Sequence, residues 1–170
     1  INKAIPCAEK IRFTTSGTDA NFQAMRLART FTKKEKILKF EGGFHGTSDY
    51  AMMSFAPSKD SLKNFPVSIP TVPGIPTAVN ETMLIAPFNN IDITESIITK
   101  YKDELAAIII EPLQRIIQPE NNFLGKLREI TNKHNIILIF DEVVTGFRLA
   151  YGGAQEKYKT IPDLAAIGKI

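Results

Sequence analysis

The chain has 170 residues, 44% hydrophobic and 23% charged, with a formal net charge of +3. That suffices for a real core in one domain of ordinary size. The basic residues are dispersed without interleaved aromatics, which argues against a nucleic-acid partner, and no apolar run nears the ~18 residues of a membrane span.

Ile1 stands in place of an initiator Met, and the sequence stops at "LAAIGKI" with no helix stop or polar tail. One partial domain, residues 1–170, of a longer chain is therefore expected. Cys7 is the single cysteine. It gives no disulfide framework, points to a reducing, cytoplasmic compartment, and reads as a small buried apolar residue.

In chain order, "KIRFTTSG" (10–17) reads as an extended stretch entering a turn. Residues 18–31 follow with helical spacing. Ala20, Ala24, Leu27, Ala28 and Phe31 form the apolar stripe, and Asn21, Gln23, Arg26 and Arg29 lie opposite. The run "KKEK" (33–36) reads as a solvated turn, "KILKF" (36–40) as a short strand and "EGGFHGTSD" (41–49) as a turn-rich loop. Five of the ten prolines fall in residues 56–82, at Pro57, Pro66, Pro70, Pro73 and Pro76. An irregular, functional or covering segment is expected there. "MLIA" (83–86) is a strand, 93–103 a helix, "LAAIII" (105–110) a strand, and 123–134 a helix facing inward through Phe123, Leu127 and Ile130. "IILIF" (136–140) and "DLAAIG" (163–168) complete the strands. These strands lack polar alternation, so both faces are buried. Intervening helices imply crossovers, hence a three-layer α/β/α domain on a mostly parallel sheet.

In such a sheet, ligands bind beyond the carboxyl ends of the strands. Glu111 follows "AAIII", Asp141 and Glu142 follow "IILIF", and Gly168 and Lys169 follow "LAAI". Ser16, Gly17 and Thr18 open a helix and offer amides and hydroxyls to an anion, or simply cap it. Asp141 ends a buried strand and needs a cationic ligand atom or a nearby Arg or Lys. Glu111 poses the same choice. Phe44, beside His45 in a glycine-rich loop, either stacks on a planar ligand or plugs the core. His134 is assigned no chemistry. A P-loop ATPase reading of "IILIFDE" fails because no G-x-x-x-x-G-K-[ST] loop exists, and "EGGFHG" lacks the G-x-G-x-x-G spacing of dinucleotide folds. No metal site is expected.

Together, "RFTTSGTDANFQAMRLAR", "KFEGGFHGTSD", "IIIEP", "IFDEVVTGFR", "GGAQE" and "PDLAAIGKI" resemble, in order, the class III pyridoxal-phosphate-dependent aminotransferases. Within that family the glutamate-1-semialdehyde aminomutase branch is the most similar. The resemblance covers essentially the whole chain and implies a central piece of the fold type I large domain. It implies that Asp141 pairs with the cofactor's pyridine nitrogen. Lys169, 28 residues after Asp141 by sequence number, bonds the cofactor covalently and shuttles a proton. Ser16, Gly17 and Thr18 hold the phosphate, Phe44 and Val143 flank the ring, and His45 and Glu111 lie close by, while Glu142 is structural. It also implies a small amino acid or amino-aldehyde substrate, pyridoxal 5'-phosphate as cofactor and a homodimeric whole protein. Two positions depart from the family. Ile116, in "LQRIIQPENN", stands near an aminomutase Asn, and Val144 stands where many transaminases place Gln. Two enzymatic readings therefore remain: an intramolecular amino shift, or transamination by a free-standing enzyme or a domain of an assembly-line synthetase. A third is a degenerate, non-catalytic domain.

Overall fold

A computed structural model describes residues 1–56 and 66–170. Its frame is five parallel strands in the order β2-β1-β3-β4-β5. These are β1 (Lys36–Phe40), β2 (Met83–Ala86), β3 (Leu105–Ile110), β4 (Ile137–Glu142) and β5 (Leu164–Ile167). The helices are α1 (Gly17–Thr32), α2 (Thr77–Asn80), α3 (Ile91–Tyr101), α4 (Phe123–His134) and α5 (Gly153–Tyr158).

Strands β1 to β4 are largely buried on both faces, as their composition requires, whereas in β5 Ala166 alone is fully buried. On one side Leu38, Phe40, Ile108, Ile110, Leu138 and Phe140 pack with Ile98 of α3 and Phe123, Leu124 and Leu127 of α4. On the other side Ile37, Ile85, Ala107, Ile109 and Ile139 pack with Met25 and Ala28 of α1. The result is the expected helix–sheet–helix sandwich. Each such aliphatic side chain contributes roughly 1.5–3 kcal/mol by leaving water.

The elements begin and end where local chemistry dictates. Ser16 caps α1 by accepting from the Asp19 amide at 3.1 Å, and Lys33 closes it in the left-handed conformation at φ 59°. Asn90 caps α3, accepting from the Ile93 amide at 3.0 Å, so this helix starts two residues before the expected 93 and ends before Asp103. Strand β4 begins one residue later than expected and runs on through Asp141 and Glu142. The acids are therefore the last rungs of the ladder rather than the start of a loop.

Three expectations need correction. The stripe of α1 that meets the sheet is Asn21, Met25 and Ala28, whereas Leu27 is 54% and Phe31 77% exposed. The expected stripe is rotated because Asn21 has buried polar partners. Within 56–82, residues 57–65 lie outside the described residues. The remainder is not wholly irregular, since Pro76 leads into the single helical turn α2 and Met53 bridges Pro70. Helix α5 was not expected from the sequence, because a six-residue helix between glycines and a threonine carries too little periodicity to register.

Candidate functional site

The parallel sheet brings the carboxyl ends of all five strands to one rim, and Asp141 is the centre of the polar structure there. It is 6% exposed. No Arg or Lys neutralises it among the described residues. Its Oδ2 accepts from Asn21 Nδ2 at 2.7 Å and lies 2.8 Å from His45 Nδ1. An ionised carboxylate only accepts, so His45 Nδ1 carries the proton in this pair. Among the described residues Oδ1 accepts only the Val143 amide, at 3.2 Å, and retains capacity for one more donor. Asn21 Nδ2 also reaches the His45 carbonyl at 3.3 Å. Helix α1, the loop after β1 and the tip of β4 are thereby tied together.

Sequence reasoning placed Asn21 on the wrong side of α1. The available signal was its position four residues before Met25 and seven before Ala28, one stripe of a 3.6-residue helix. His45 is likewise buried. Its role here is to orient Asp141, while its Nε2 is buried without a hydrogen-bond partner.

The start of α1 forms the second wall. Ser16 is a cap, as the simpler reading had it. Ser16 takes up the Asp19 amide with its hydroxyl and the Ala20 amide with its carbonyl, which leaves the amides of Gly17 and Thr18 as the free donors of the first turn among the described residues. Thr18 Oγ1 accepts the Thr47 amide at 3.3 Å and keeps its own proton to donate. Gly46, at φ +98°, packs so closely on Thr18 that a Cβ there would come 2.6 Å from Thr18 Cα. Val143 joins the two walls. A Cβ on Gly17 would meet it at 3.0 Å and one on Gly168 at 3.4 Å.

Glu111, at the end of β3, accepts the Phe44 amide through Oε2 at 2.9 Å. Burial raises its carboxyl above the usual range, against the Phe44 hydrogen bond and the nearby His45 and Arg115. The Phe44 ring lies 5.0 Å from that of Phe55, tilted by 58°. Glu142, fully buried, accepts from Thr145 Oγ1 at 3.0 Å, the Ala154 amide at 2.6 Å and Gln155 Nε2 at 2.9 Å. It braces the 143–155 turn, in the structural role expected for it.

Lys169 lies three residues beyond Ala166, which is the register partner of Asp141. Neighbouring strands run about 4.8 Å apart, so this exposed lysine leaves the same rim as the aspartate. It adopts a left-handed conformation at φ 53°. Among the described residues no group of His, Cys, Asp and Glu is arranged to hold a metal ion. No helix among them is long and apolar enough to cross a membrane.

The donor set suits a ligand with an anionic end and a planar cationic ring. Two free amides and a hydroxyl stand at the start of α1, a carboxylate with a spare acceptor position stands in the middle, and an amine follows the end of the adjacent strand β5.

Comparison with known proteins agrees. The Aminotransferase class-III family profile matches residues 1–170. The chain is 48% identical over 169 residues to a glutamate-1-semialdehyde 2,1-aminomutase of Methanococcus maripaludis, covering 98% of this chain and 38% of that protein. It superposes on an omega-transaminase from Sphaerobacter thermophilus with a TM-score of 0.90 and 42% identity, over 99% of this chain and 39% of the other. A glutamate-1-semialdehyde aminomutase from Pseudomonas aeruginosa PAO1 in complex with PMP gives a TM-score of 0.73 and 28% identity, over 90% and 33% of the two chains. The chain thus spans about two fifths of the length of the curated relatives it matches. With its parallel sheet, its ordered motifs and a match along its entire length, the chain belongs to the class III aminotransferase family.

Proposed function

We propose that the whole protein is a pyridoxal-phosphate-dependent aminomutase of the glutamate-1-semialdehyde type, moving an amino group between neighbouring carbons of one substrate to give 5-aminolevulinate. The observation that carries this is the buried Asn21–Asp141–His45 network, which holds one carboxylate oxygen fixed and leaves the other with the Val143 amide as its one partner among the described residues. When bound, the cofactor supplies an electron-withdrawing ring for the substrate's amine carbon.

This chain's residues then have defined tasks. Asp141 would hold a proton on the ring nitrogen, with His45 and Asn21 fixing the orientation of its carboxylate. The free amides of Gly17 and Thr18, with the Thr18 hydroxyl, hold the phosphate at a helix N-terminus. Phe44 and Val143 would flank the ring, and Glu111 anchors Phe44 through its backbone amide. Lys169 would bond the cofactor covalently and would take up and return the proton at the amine-bearing carbon. The 48% identity to an aminomutase supports this reading over a non-catalytic domain.

The proposal includes a homodimeric whole protein, because Phe13 and Phe31 are 85% and 77% exposed and call for cover by further chain or by a second copy. A cytoplasmic location is supported by the free Cys7.

The test uses the whole protein in its amine-loaded form, with glutamate 1-semialdehyde and no other acceptor. Formation of 5-aminolevulinate over many turnovers is expected, since the amino group returns to the same carbon skeleton. At most one turnover per site, with sustained activity only after a keto acid is added, would replace the aminomutase by a transaminase.

A further inference from the structure

The loop after Glu111 carries a cation that the roles above leave unused. Gln114 and Ile117 exchange two backbone hydrogen bonds, of 3.1 and 2.9 Å, and so form a tight turn with Arg115 and Ile116 at its tip. Arg115 adopts φ +60° there, which is uncommon for a residue with a long side chain. Gln114 fixes the turn from below by donating from Nε2 to the Glu41 carbonyl at 2.7 Å.

The turn directs Arg115 toward the aromatic pair at the site. Its guanidinium carbon is 5.3 Å from the centroid of Phe44 and 4.9 Å from that of Phe55. Arg115 itself remains solvent-exposed. The Phe44 amide is bound to Glu111, and the charges of both Arg115 and Asp141 act on Glu111. The guanidinium therefore belongs to the same rim as the carboxylate that centres the site, on the side of the Phe44 ring.

Stacking on a ring face engages the guanidinium π-surface and leaves its N–H edges in the plane, where a carboxylate can accept two parallel bonds. Two aromatic rings also limit the side chain's freedom beforehand, so less is lost when an anion arrives. A solvated surface arginine needs neither a left-handed backbone nor this aromatic seat.

We propose that Arg115 is a specificity-determining residue, which binds the carboxylate of an anionic amino substrate at the mouth of the site. The assignment rests on the cofactor-site reading, because it takes Phe44 as a wall of that site. It deepens that reading by naming the group that selects substrates bearing a negative charge remote from the reacting amine.

The test compares 5-aminolevulinate with its methyl ester, which has the same amine and skeleton and no charge. Binding of each to the cofactor-loaded whole protein is measured by calorimetry, for the native sequence and for Arg115→Gln and Arg115→Lys. Arg115→Gln is expected to weaken the acid by at least ~10-fold, the scale of a hydrogen bond to a charged group, and to change the ester by less than about 2-fold. Arg115→Lys, which keeps the charge and loses the fork, falls between. Equal weakening of acid and ester would show that Arg115 only supports Phe44, and unchanged binding of both would show that it does not touch the substrate; either result overturns the proposal. Failure of the native protein to bind 5-aminolevulinate at all would be a different result, one that removes the aminomutase reading and the Arg115 assignment with it.

Discussion

Lys39 is fully buried in β1, on the α1 side of the sheet. Its ammonium donates to the carbonyl oxygens of Ala51, at 3.1 Å, and Met53. These contacts close the loop that carries Phe44 and His45. Burial lowers the Lys39 pKa from 10.5 to about 7, against the opposing pull of Glu41 and Glu111 and with a small contribution from Arg115. A drop of about 3.5 units corresponds to roughly 5 kcal/mol between the two protonation states, as an order of magnitude. The sign follows from proton counting. Below pH 7 both folded and unfolded chains hold the proton and the full penalty applies. Between about 7 and 10.5 the unfolded chain still holds it while the folded chain releases it, so stability rises with pH. Lys39→Met preserves length and removes the titration, but leaves two carbonyls without that donor, at about 1–3 kcal/mol. The measurement is the unfolding free energy of the native and Met proteins from pH 6 to 10 at constant salt. The difference is expected to shift by several kcal/mol in favour of the native sequence as pH rises above 7. A difference that stays flat across that range would refute a buried, titrating Lys39.

Asp141→Asn keeps an oxygen able to accept from Asn21 and His45, so the whole protein should fold with a near-native melting temperature. Turnover should fall by ~10² through loss of the fixed charge, and near-normal turnover would dismiss the role given to Asp141. Gly46→Ala places a methyl group against the Thr18 backbone at a φ of +98°. Strain and overpacking of this kind cost roughly 1–3 kcal/mol each. Thermal unfolding should therefore show a clear loss, and an unchanged midpoint would mean the loop does not rest on α1 as described.

The layers of this domain were legible because they depend on a one-dimensional property. Strands such as "LAAIII" and "IILIF" carry no polar alternation, and only a sheet covered on both faces can bury them, so fold class follows from composition and spacing. The rim was legible for the same reason: acids directly after apolar runs must emerge at strand ends. What the sequence concealed are properties of pairs. Asn21 reads as a polar residue on an amphipathic helix until the backbone places it 2.7 Å from Asp141, 120 positions away. For Asp141 the sequence offered a cationic ligand atom or a nearby Arg or Lys, and the structure adds protein partners of another kind, the Asn21 amide and the His45 ring. Lys39 in "KILKF" drew no reading of its own, and what buries its amine is the pair of carbonyls folded back from Ala51 and Met53. All three cases involve polar groups buried through hydrogen bonds to residues distant in sequence, on α1, at the tip of β4 and in β1 against the loop that follows it. That is where a stable sheet gives way to a site whose carboxylate, imidazole and rings must be held at fixed angles. Local rules fail there because the geometry is imposed from outside the segment, by the crossover of α1 against the tip of β4.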